Sequence, residues 1–167
     1  MATKTTFSPQ EWELLMAGIM SSGVAVTAAD PSGLWGLMKE SFAGARSMAA
    51  AKADPKSSEL IKALVADFEN SETRSRVRAA MTKRLEGAKA GADVKSRSIE
   101  TLQQACALLD SKAPEEAKSV KTWMRAIGQS VAEAAPEGGV FGFGGVQVSD
   151  NEKATLAEVS SALKLSA

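Results

Sequence analysis

Ser8-Pro9-Gln10-Glu11-Trp12-Glu13-Leu14-Leu15-Met16-Ala17-Gly18-Ile19-Met20 decides the fold class. A capping serine, a proline at the first helical position and a glutamate three residues after the cap together open a helix. Trp12, Leu15, Ile19 and Val26 fall on one face of it, and Leu14, Met16 and Met20 widen the apolar stripe. Gly18, Gly23 and several alanines leave room for another helix to approach closely. Each interior glycine costs a helix about 1 kcal/mol of intrinsic stability, so burial has to hold the segment together. This helix is predicted to be central and heavily buried.

Working outward, the same signals recur down the chain. Asp30-Pro31 caps and starts a second helix, with Leu34, Leu37, Met38 and Phe42 at helical spacing and alanines carrying it to about Ala51. Asp54-Pro55 repeats that start, and Leu60, Ile61, Leu64, Val65 and Phe68 form an amphipathic stripe beyond it. Ser71 is the expected cap of a basic helix with Val77, Met81 and Leu85 inside. Asp93 is the expected cap of the next, whose stripe is Ile99, Leu102, Cys106 and Leu109. Pro114 begins a helix bearing Val120, Trp123, Met124, Ile127 and Val131, and Ser149-Asp150-Asn151-Glu152 is a capping box for the last. The reading is all-α: one domain over residues 1–167, a bundle of about seven helices. Residues 1–7 are expected to be a flexible N-terminus and 136–148 a glycine-rich loop.

Composition narrows the function. The chain has 20 basic and 20 acidic residues, so no net field draws it to nucleic acid or to an anionic membrane. Histidine and tyrosine are absent, which removes the usual general base and the commonest transition-metal ligand. Cys106 is the only cysteine, so neither a disulfide framework nor a thiolate cluster is available. Its stripe position makes it a small buried hydrophobe. The longest apolar passage, Leu14 to Ala29, is interrupted by serines, threonine and glycines and falls short of a membrane span. A cytoplasmic location is expected. The basic stretch from Arg74 to Arg84 has acidic neighbours and no interleaved aromatics, which favours a solvated face over nucleic-acid binding.

Two passages resemble each other. Asp30-Pro31-Ser32-Gly33-Leu34-Trp35-Gly36 follows a small-residue helix, and so does Pro136-Glu137-Gly138-Gly139-Val140-Phe141-Gly142. Five glycines stand between 138 and 145, flanking Phe141 and Phe143. No Gly-Lys-Ser/Thr closes the run, so it is not a phosphate loop. Trp35, Phe141 and Phe143 are either staples across the core or the lining of a docking surface for a protein partner or small apolar ligand. Small-residue helix faces also suit homo-oligomerisation.

Asp30, Asp150 and Glu152 flank these corners. Such oxygen donors can hold a divalent cation, and the same residues are natural helix caps. No Ser/His/Asp or Cys/His set is present, and the chain reads as non-enzymatic, with no cofactor beyond that cation. Ala29-Asp30 and Val148-Ser149-Asp150-Asn151-Glu152 are similar to motifs of the tellurite-resistance TerB-like helical domains, although Pro31 stands where those have glycine. The resemblance covers about a third of the chain. It implies an alternative to the binding module, namely a stress-associated domain holding a divalent cation through acidic residues.

Overall fold

In the computed structural model, residues 1–29, 47–134 and 148–166 are described. All regular structure among them is helical, and the bundle is all-α, as the periodicities predict. A 3-10 turn at Lys4–Thr6 precedes α1, Pro9–Thr27. The described part of α2 is 47–53. Then come α3 (Glu59–Glu69), α4 (Ser71–Arg84), α5 (Gly91–Lys112), α6 (Pro114–Ala134) and α7 (Asp150–Ala162). No helix among the described residues is long and apolar enough to cross a membrane.

The central helix is α1. Ser8 caps it with a reciprocal Glu11 bond, and Trp12, Leu15, Met16, Ala17, Ile19, Ala25 and Val26 are all buried. Its small residues set how close its neighbours come. A methyl group built on Gly18 would lie 2.6 Å from Ala105 Cβ of α5, and one on Gly128 of α6 would lie 2.9 Å from Ser22 Oγ. At the second crossing the buried Ser22 hydroxyl donates to the Met124 carbonyl at 2.6 Å. Contacts rise together along α1 and α6 (Gly18 with Met124, Ser22 with Gly128, Gly23 with Val131), so these two helices run parallel. α5 runs the other way, from Gly91 beside Ala28 to Lys112 bonded to Glu11.

Several local starts differ from the sequence expectation. Asp54-Pro55 does not begin α3: Asp54 Oδ1 accepts from the Lys56 N–H in a turn, and Ser58, directly before the apolar stripe, is the cap. Asn70 caps α4 in place of Ser71, through Oδ1 to the Thr73 N–H. Asp93 lies inside α5 and reaches back to the Lys89 N–H. Within residues 1–7, two side chains reach the bundle core while the others stay exposed. Ala2 and Phe7 are buried, the Ala2 N–H donates to the buried Glu116 at 2.7 Å, and Lys4 pairs with Asp67 at 2.5 Å.

Candidate functional site

Trp35, Phe141, Phe143 and Asp30 lie outside the described residues. The ends that carry them can be placed. Val26 of α1, Val131 and Ala132 of α6 and Leu156 of α7 form a small buried cluster with Val148 packed against it. Ser47, where the description resumes after the first corner, donates to Ser130 of α6 at 2.8 Å. The described residues that flank both stretches therefore lie at one end of the bundle, where α1 and α6 finish side by side.

The two described acidic candidates are helix-start residues. Glu152 is buried, and its Oε2 accepts from the Ser149 N–H at 2.8 Å and the Ser149 hydroxyl at 2.9 Å. Asp150 projects into solvent and pairs with Lys153 at 3.2 Å. Among the described residues no group of three or more His, Cys, Asp or Glu is placed to hold a metal ion.

Below that end, the outer side of α6 carries two shallow grooves. The larger, about 680 Å³, runs between α6 and residues 47–61. Ala50, Ala51, Ile61, Trp123 and Ala126 give it apolar walls, Ser47, Ser57, Ser119 and Thr122 add hydroxyls, and Lys56 and Lys118 stand at its edges. The second, about 660 Å³, lies toward α7 and the C-terminal residues, lined by Arg125, Gln129, Ser160 and Leu165. Lys118, Thr122 and Ala126 belong to both, so the exposed strip of α6 is a ridge between them.

Trp123 is the unusual member. The sequence pattern reads it as an ordinary residue of the α6 apolar stripe, and it is indeed buried. Yet its indole Nε1 has no hydrogen-bond partner among the described residues. Trp12 shows the contrast, for its Nε1 donates to Asp67 at 2.7 Å. A buried donor left unpaired costs about 1–3 kcal/mol, a cost that core tryptophans usually avoid. Sequence reasoning missed the groove because its two walls come from segments some seventy residues apart, which only the fold brings together.

A second polar cluster lies at the α5–α6 turn. Asp110 accepts from the buried Lys121 ammonium and, at 3.2 Å, from Lys164, and the buried Cys106 thiol lies 3.8 Å from its Oδ2. Burial pushes the Lys121 pKa down, but the hydrogen bonds to Asp110 and Cys106 outweigh it and hold the ammonium above its ordinary value. The Lys121 bond holds the Asp110 carboxyl below its ordinary value against the opposing effect of burial, and Lys164 adds to it. With one carboxylate holding two ammonium groups, this cluster ties the α5–α6 turn to Lys164 beyond α7.

No family model, curated protein or solved structure matches the chain.

Proposed function

We propose that the protein is a non-catalytic binding module whose ligand face is the outer side of α6. The groove of about 680 Å³, with Ile61 and Trp123 in its apolar wall, carries the reading. That volume falls within the range of about 300–1,000 Å³ typical of small-molecule sites, and an apolar wall with a few polar groups is what such sites offer. The lack of histidine throughout the chain suits binding better than acid–base chemistry. The partner is a small ligand with an apolar part or a protein segment presenting one.

The test is a titration of the isotope-labelled chain with small amphipathic fragments (benzoate, indole, short-chain alcohols), followed by amide and indole NMR shifts. Saturable shifts confined to Ala50, Ala51, Thr122, Trp123 and Ala126 are expected. A folded chain whose groove resonances ignore every fragment would overturn the proposal.

A further inference from the structure

We infer that the outer face of α6 pairs antiparallel with the same face of a second copy of this chain, about a two-fold axis between Arg125 and Ala126. The inference rests on the ligand face proposed above and names its partner. Lys118, Thr122, Ala126, Gln129 and Glu133 follow one another at steps of three and four along α6, so they share one stripe. Lys118, Thr122, Ala126 and Glu133 are exposed, and a groove runs along each side of the ridge. The stripe carries opposite charges at its ends, Lys118 near the start and Glu133 near the finish, about 22 Å apart along the helix. Neither has an ion pair among the described residues. Glu133 stands in the last turn of α6, which holds no basic residue, and the negative end of the helix dipole disfavours a carboxylate there.

Antiparallel pairing answers both charges at once. The midpoint of positions 118 and 133 falls between Arg125 and Ala126, so a two-fold axis there sets Lys118 on Glu133 of the partner subunit, and the reverse at the other end. A parallel pair would set Lys118 on the partner subunit's Lys118 and Glu133 on the partner subunit's Glu133, which repel. At the crossing Thr122 and Ala126 are short, so the helix axes can come within about 8–10 Å. Arg125 is drawn aside toward α7, its Nε donating to Ser160 Oγ at 3.1 Å and its Nη1 to Gln129 Oε1 at 2.8 Å. The grooves leave space for the side chains that flank the partner's ridge. The larger one is lined by Lys56 and Lys118 against Asp54 and Glu115, a balance of signs that suits a surface meeting its own copy.

The experiment is sedimentation equilibrium of the full chain over a concentration series at low ionic strength. It compares wild type, Lys118→Glu, Glu133→Lys and the double variant, each checked for an unchanged melting temperature. Wild type is expected to dimerise reversibly with a Kd below about 1 mM. Either single reversal sets like charges at both ends and is expected to weaken the dimer about tenfold, whereas the double variant exchanges the two charges and is expected to restore it. An equimolar mixture of the two single variants, matched at both ends, is expected to form a heterodimer about as tight as the wild-type dimer. A chain that stays monomeric throughout overturns the inference. If that monomer still binds the amphipathic fragments at the groove, the ligand face stands and only its partner is wrong; if it ignores them, the ligand face falls as well. A dimer whose Kd ignores the single reversals is built on another surface, and the inference fails. It fails too if neither the double variant nor the mixture recovers the dimer, because net charge is then the cause.

Discussion

A buried ammonium is safe only while its carboxylate stays ionised, and Lys121 with Asp110 is the case in point. Lys121 is 6% exposed, whereas Asp110 stands at the edge of the α5–α6 turn where water and Lys164 also reach it. Removing the carboxylate by Asp110→Ala strands the buried charge, whereas Lys121→Met replaces it with an apolar chain of similar length. Asp110→Ala is expected to be the more destabilising, by about 1–3 kcal/mol in urea titration, less than for a fully buried pair. The pH dependence follows from the shifts. The folded-state pKa of Asp110 is depressed, so its contribution is present above the ordinary aspartate value of about 3.9 and is lost as pH falls through the folded value. Lys121 is shifted up, so its contribution is lost only as pH rises past the ordinary lysine value of about 10.4. The stability gap between wild type and Asp110→Asn should therefore be flat around neutrality and narrow at both extremes. None of this was legible in the sequence, where Lys121 is one polar position beside an apolar stripe. Cys106 could be read as buried from its spacing, but its neighbours on another helix could not.

The crossings of α1 show what helix-level patterns do reveal. Gly18 and Gly23 announced a close approach, and the helix is buried among α4, α5, α6 and α7 with Gly18 on Ala105 and Gly23 near Val131. Periodicity also found the buried stripes of α1 and α6, because burial of a stripe and a 3.6-residue repeat are one constraint. Cap identities were harder. Ser58 and Asn70 each stand beside an equally good capping residue, and only the backbone decides which one holds the extended conformation. The α1–α5 crossing makes a sharp prediction. Gly18→Ala should gain about 1 kcal/mol of helix propensity yet lose about 1–3 kcal/mol to overpacking against Ala105. Adding Ala105→Gly restores the space, so the double variant should be close to wild type. Denaturant titration of the four-member cycle would show a coupling between the sites, and additive effects would place them out of contact.

At the scale of the whole molecule, the N-terminal residues act as a strap. Ala2 reaches Glu116 on α6, Lys4 reaches Asp67 on α3, and Phe7 packs 5.8 Å from the Trp12 ring. Deleting residues 1–7 exposes apolar surface worth about 1.5–3 kcal/mol at Phe7 alone and leaves the buried Glu116 without the Ala2 N–H. A fall in melting temperature of roughly 10 °C is expected. An unchanged melting temperature would mean that the strap is incidental to stability. The parallel pairing of α1 with α6 has its consequence in time. Ser22 and its partner Met124 are 102 positions apart, and α1, rich in glycine and apolar on more than one side, is weak as an isolated helix. A ribosome adding about 5–20 residues per second makes α1 first and its two main partners seconds later. Through that interval α1, the most apolar of the fully described helices, lacks the two neighbours that bury most of it. The segment that ends at the centre of the fold is thus the one whose burial must wait for the most chain, and the one that most needs shielding while the protein is being made.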